Sequence, residues 1–153
     1  MIALAEKAAR ALKLDMLKHA RAMGHTEIQA SHNAVYATLP PEGARSADMA
    51  HRAGITRQSM GEIIREMVAA GSLVMVPDPT DGRAKIVKWS EHGKRVASDG
   101  FDHIVELDRV FRERFGDADI DTTYRVMLGI IEMLSPELAD EPLPATVLPT
   151  VPG

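Results

Sequence analysis

A mainly α-helical fold with one small β-wing is what this sequence predicts, and three observations predict it. Apolar residues recur at spacings of three, four and seven along residues 2–22, 57–70, 91–115 and 119–134, the signature of one-sided helices. Only two short runs, 73–76 and 84–89, read as β-strands. Between them lies Pro77-Asp78-Pro79-Thr80-Asp81-Gly82, dense turn chemistry that makes the two runs a hairpin with a long, mobile tip.

The elements follow in order. Residues 2–22 place Ala5, Ala8, Leu12 and Met16 on one face, continued by Met23, and Gly24 ends the pattern. A second helix is predicted over about 27–39, with Ile28, Val35 and Leu39 inward, stopping at Pro40-Pro41 because the residue before a proline disfavours helical backbone. Ser46 is expected to cap a short helix over 47–53, and Gly54 to break it. Thr56 is expected to cap the helix 57–70, closed by Gly71. After the hairpin, Ser90 caps a long helix to about Phe115, with Ala97, Phe101, Ile104, Phe111 and Phe115 along one stripe. Beyond Gly116, Asp119 is expected to cap a last helix on which Tyr124, Met127, Ile131 and Leu134 share a face, ended by Ser135-Pro136. Residues 136–153, with prolines at 136, 142, 144 and 149, read as an extended, poorly ordered tail.

Composition narrows the function classes. The chain has 153 residues, enough for one core-forming domain, and no cysteine, which excludes disulfides and thiolate metal sites. No apolar run approaches the roughly 18 residues that cross a bilayer, and the N-terminus lacks a signal peptide's unbroken apolar centre, so the chain reads as cytoplasmic with no membrane partner. The net charge is −4, but it divides unevenly: +1 over residues 1–43, +2 over 44–89 and −7 over 90–153. Charge distribution, more than total charge, decides attraction to phosphate, and the middle segment is the basic one.

That segment has the pattern of a helix-turn-helix. Ala50 is small where two helices cross, Gly54 sits at the turn, and Met49, Ala53, Ile55, Met60 and Ile63 fill the wedge between them. At 100° per residue, Met60, Ile63, Ile64 and Met67 form the buried face of the second helix, while Arg57, Gln58, Gly61, Glu62 and Arg65 face outward. Arg pairs with guanine O6/N7 and Gln with adenine N6/N7, each worth about 1–3 kcal/mol of discrimination. Thr56 and Ser59, beside the free N–H groups of the helix start, are placed to hold a phosphate. The hairpin adds Arg83 at its tip and Lys85 and Lys88 on the return strand, a thin basic loop suited to the minor groove. Asp78 and Asp81 partly cancel that charge, and Asp81 is placed either to shape the turn or to brace Arg83.

Here the sequence resembles the multiple antibiotic resistance regulator (MarR) family of winged helix-turn-helix proteins. The resemblance is carried by residues 53–60, 67–74 and 77–85, including the Asp81-Gly82-Arg83 wing, followed by Ser90-Glu91-His92-Gly93 at the start of the next helix. It is sharp over 44–95 and follows the element order over about 25–135. It implies a domain over 1–135, with a DNA-binding lobe at about 44–89 and dimerisation helices at about 2–22 and 91–134. The implied protein is a homodimer that binds a palindromic operator in double-stranded DNA as a transcriptional regulator, a repressor at the family level. Its DNA contacts would come from Thr56, Arg57, Gln58, Ser59, Arg65, Arg83 and Lys85. A small aromatic or phenolic effector would draw on His19, His32 and Tyr36. The chain departs from the family at 72–75, which lacks the arginine that often follows the recognition helix.

The same residues bear on other function classes. The six histidines, His19, His25, His32, His51, His92 and His103, contain no i, i+4 pair with a nearby acid, so no metal is assigned, and a metal-responsive regulator stays an alternative. The methionines at 49, 60, 67, 127 and 133 fall on apolar stripes and read as core filling rather than oxidation sensors. No nucleophile elbow, phosphate loop or HExxH motif suggests an enzyme, and no cofactor is implied. A winged helix used only for protein contacts is the remaining alternative.

Overall fold

The computed structural model describes residues 1–139. Helix α1 spans Ile2–Ala22; a 3-10 turn at Ala30–His32 leads into the single turn α2, Asn33–Tyr36. Strand β1 is Ala44–Arg45, followed by α3, Ser46–Arg52, and α4, Arg57–Ala69. Strands β2, Leu73–Pro77, and β3, Lys85–Trp89, form the hairpin. Helices α5, Glu91–Phe115, α6, Asp117–Leu134, and α7, Pro136–Ala139, complete the described chain. The mainly helical fold with a small antiparallel wing is therefore as the sequence predicts. The chain forms two compact units, one of residues 1–100 and one beginning at Phe101.

The first unit holds the core. Met49, Ala50, Met60, Ile64, Met67, Leu73, Val87, Val35 and Leu39 pack together, and Met49, Met60, Val35 and Val87 are fully buried. The sheet has the order β1-β3-β2, all antiparallel; Leu73 faces Trp89 and Pro77 faces Lys85 across the hairpin. The junction into α5 is tight. Ser90 caps α5 by accepting the Gly93 N–H at 2.9 Å, while its own hydroxyl donates to the Gly71 carbonyl at 2.5 Å. A Cβ on Gly93 would lie 2.0 Å from the Ser72 carbonyl oxygen, so only glycine lets α5 start this close to β2.

In the second unit, Gly116 turns the chain at φ +89 between the end of α5 and the start of α6. Arg112 reaches Asp108 at 2.8 Å, Asp117 at 3.3 Å and Asp121 at 2.8 Å, and the Tyr124 hydroxyl donates to Asp108 at 3.0 Å. Among the described residues, no helix is long and apolar enough to cross a membrane.

Several local expectations are corrected. Residues 27–39 do not form one helix. Gln29 is extended, at φ −116 and ψ 160, and its N–H donates to the His32 Nδ1 at 3.3 Å, a reciprocal cap that restarts the chain as a 3-10 turn. Ser46 is the first residue of α3, not its cap; Arg45 occupies the cap position in extended backbone because it belongs to β1, a strand the sequence pattern did not reveal. Asp119 lies inside the first turn of α6, since Gly116 already ends α5 and the helix begins at Asp117. Met127 and Met133 are 50% and 73% exposed, so they fill no core among the described residues. The expected extended tail begins with the helical turn α7, because Pro136 suits a first helical position; the rest of that expectation, 140–153, lies outside the described residues.

Candidate nucleic-acid interface

The candidate interface is built on α4. Gly54, at φ +64, makes the turn from α3, and the Ile55 N–H returns to the Ala50 carbonyl at 3.1 Å. Thr56 then caps α4: its Oγ1 accepts the Ser59 N–H at 3.1 Å, and the two hydroxyls lie 2.8 Å apart. Met60, Ile64 and Met67 are buried. With that face committed to the core, helical geometry turns Arg57, Gln58, Glu62 and Arg65 outward, and all four are exposed. Gln58 donates to the Glu62 carboxylate at 3.1 Å, which holds its amide along the helix surface. Gly61 keeps that surface low; a Cβ there would meet only the Arg65 Nη1, at 3.4 Å.

The wing is held by more hydrogen bonds than its turn-rich sequence suggests. The Asp78 N–H donates to the Ala84 carbonyl at 3.0 Å and the Ala84 N–H to the Asp81 carbonyl at 2.9 Å. The Asp81 carboxylate accepts the Arg83 N–H at 3.1 Å, so it shapes the turn through backbone. Arg83 and Lys85 are exposed. Asp78 is buried and ion-paired with Arg45, Nη2 to Oδ2 at 2.5 Å. Hydrogen bonds from Thr80, and then from Arg45, hold its carboxyl at about 2. The opposing wing charge expected from Asp78 is therefore balanced within the fold.

The three residues assigned to an effector fall in two places. His32 and Tyr36 lie one turn apart on the 30–36 segment, while His19 lies in the last turn of α1, the helix that touches the 30–32 turn. His32 is buried and its Nε2, 3.7 Å from Glu66 on α4, has no hydrogen-bond partner. Burial lowers the His32 pKa, against the opposing pull of Glu66. The Tyr36 ring stacks on Trp89 at 5.2 Å, its hydroxyl is buried without a partner, and burial raises that hydroxyl to about 12.

Sequence reasoning missed Trp89, Arg45 and a histidine–carboxylate cluster. His25 meets Asp99 at 2.7 Å, His92 meets Glu27 at 3.0 Å, and the two imidazoles are edge to face at 6.1 Å. These pairs span 74 and 65 residues, so no local spacing signals them. The cluster ties the 24–29 segment to the first turns of α5. Among the described residues, no group of three or more His, Asp or Glu side chains is arranged to hold a metal.

No protein-family model matches the sequence, and no curated protein is significantly similar to it. Solved structures are similar in fold. One MarR family transcription regulator matches with a TM-score of 0.72 at 14% identity, over 92% of this chain and 91% of its own. CouR from Rhodococcus jostii RHA1, solved bound to p-coumaroyl-CoA, matches at 0.66 and 17% identity, over 87% and 90%. A MepR variant from S. aureus, solved bound to an oligodeoxyribonucleotide, matches at 0.53 and 13% identity, over 86% and 95%. The fold is the winged helix-turn-helix of MarR family regulators.

Proposed function

We propose that this chain is a homodimeric, sequence-specific DNA-binding transcriptional regulator that acts as a repressor and is released by a small aromatic effector. The observation that carries the reading is the pairing, in one compact unit, of an exposed Arg57/Gln58/Arg65 face on α4 with an ordered wing presenting Arg83 and Lys85. Arg57 and Gln58 stand at the N-terminal end of α4, the end that a recognition helix points at base edges. Arg83 and Lys85 supply charge for phosphate or the minor groove. Thr56 and Ser59 contribute chiefly by fixing the start of α4, with the backbone N–H groups there available to a phosphate. The MepR variant's binding of an oligodeoxyribonucleotide supports the same use of this fold.

Dimerisation is supported by apolar surface that the described residues do not cover. Helix α1 has no buried residue, and neither has α6, where Val126, Met127, Leu128, Met133 and Leu134 are each more than a third exposed. A two-fold pair would present two recognition helices about 34 Å apart, one DNA turn, and so select a palindrome. The domain is read as 1–135 on the same ground.

The effector reading rests on His32 Nε2, whose nearest carboxylate oxygen is Glu66 at 3.7 Å, and the Tyr36 hydroxyl, two buried polar atoms without hydrogen-bond partners beside the Tyr36–Trp89 stack. Buried polar atoms left unpaired are costly, and an aromatic acid or phenol would satisfy both while stacking. His19 is assigned as the contribution of α1. CouR's p-coumaroyl-CoA is a ligand of that chemical kind.

Footprinting of the purified protein on DNA flanking its own gene, with and without phenolic acids, tests the whole reading. A protected palindrome, released by one such acid, is the expected result. Absence of duplex binding at low ionic strength would instead favour a winged helix used for protein contacts.

A further inference from the structure

The wing is braced from outside the hairpin. Strand β1 is two residues long, Ala44 opposite Val87 and Arg45 opposite Ile86, and sits on the far side of β3 from β2. From there Arg45 reaches to the start of the loop that carries Arg83. Its Nε and Nη2 donate to one oxygen of Asp78, Oδ2, at 2.7 and 2.5 Å. The other oxygen, Oδ1, accepts the Thr80 N–H at 2.8 Å and the Thr80 hydroxyl at 2.7 Å. The Asp78 N–H meanwhile closes the loop's neck on the Ala84 carbonyl. Both carboxylate oxygens and the backbone of Asp78 are thus engaged, and its side chain is 4% exposed. A surface acid that merely tuned the charge of the wing would be solvated, with rotamer freedom.

We infer that Arg45 and Asp78 are positioning residues for DNA binding: they form a strut that fixes the wing so that Arg83 meets the duplex in one geometry. This rests on the DNA-binding reading above and adds to it a residue, Arg45, that lies outside the hairpin. The physical gain is pre-organisation. The seven-residue loop 78–84, already held by these hydrogen bonds, loses less conformational entropy on binding than an unbraced one.

The strut and the charge readings predict opposite signs. Asp78→Asn removes a negative charge beside a polyanion, so charge alone predicts tighter binding. Loss of the strut predicts weaker binding, by roughly fivefold, the equivalent of about one net hydrogen bond. Affinity for the footprinted duplex would be measured for the full chain, Asp78→Asn, Arg83→Ala and the double variant. The expected result is weaker binding by Asp78→Asn, with Arg83→Ala costing little further in that background, because an unplaced arginine has little left to lose. Equal or tighter binding by Asp78→Asn, or an undiminished cost of Arg83→Ala, overturns the strut. Arg45→Gln carries the same cycle if Asp78→Asn fails to fold. A DNA-free measurement separates the two layers: trypsin cleavage after Arg83, followed by mass spectrometry, is expected to be faster in Asp78→Asn and Arg45→Gln than in the unmodified chain. Equal rates overturn the strut even where DNA binding holds; slower cleavage of the unmodified chain with no binding to any duplex would leave the brace standing and overturn its role in DNA binding.

Discussion

The lobe between His32 and Val96 and the helices on either side of it solve the same problem in opposite ways. Every residue classed as buried among the described ones lies between those two positions; α1, and the chain from Phe101 onward, contribute none. Yet all these regions carry apolar stripes at helical spacing. In the lobe the stripes of α3 and α4 meet each other and the sheet, so Met49, Met60 and Met67 vanish from the surface. On α6 the stripe runs through Met127 and Leu134, which remain 50% and 70% exposed. The same residue type at the same periodicity thus makes a core in one region and an uncovered surface in the other. A stripe states that a face is apolar; it does not state which chain covers it.

Methionine truncation tests that contrast most severely. Met60→Ala should cost about 2–5 kcal/mol of folding stability by denaturant titration, because it empties a fully packed site. Met127→Ser should leave unfolding of the lobe nearly unchanged and instead weaken self-association in sedimentation. A large loss of lobe stability from Met127→Ser would break the comparison.

Glycine substitutions give the next largest difference. Gly93→Ala drives a Cβ into the Ser72 carbonyl and should cost about 2–3 kcal/mol, read as a lowered Tm. Gly129→Ala on α6 meets nothing within 4 Å among the described residues, so helix propensity should raise stability by up to about 1 kcal/mol. Should Gly129→Ala instead reduce self-association, the partner approaches α6 at that point.

Within the lobe, the exposed and buried faces of α4 are expected to separate function from stability. Arg57→Ala should leave the Tm unchanged while costing about 1–3 kcal/mol in duplex binding at one half-site position only. A uniform loss over all sequences would assign Arg57 to phosphate.

The smallest expected effect concerns pH. Burial lowers the His32 pKa below its ordinary 6.5, so the unfolded chain takes up that proton more readily than the folded one. The stability from neutral His32 is complete above pH 6.5 and is lost progressively as the pH falls below it. The Tm should therefore fall between pH 7.5 and 5.5 by more in the unmodified chain than in His32→Gln. Identical slopes would show that His32 is not the titrating group.

The sequence by itself determined the helix-turn-helix, because its signals are local. Gly54 and Gly71 adopt the positive φ that their positions suggested, Thr56 and Ser90 cap the helices they were expected to cap, and the 3.6-residue period of Met60, Ile64 and Met67 fixes which side of α4 faces out. What depends on residues far apart in the chain was decided only by tertiary structure. Two-residue β1 has no periodicity to read and exists because β3 offers an edge to pair with. Arg45 finds Asp78 across 33 residues, His25 finds Asp99 across 74, and Tyr36 finds Trp89 through packing. Local backbone preference is written residue by residue, whereas a buried ion pair or ring stack forms only after the chain has brought its two halves together.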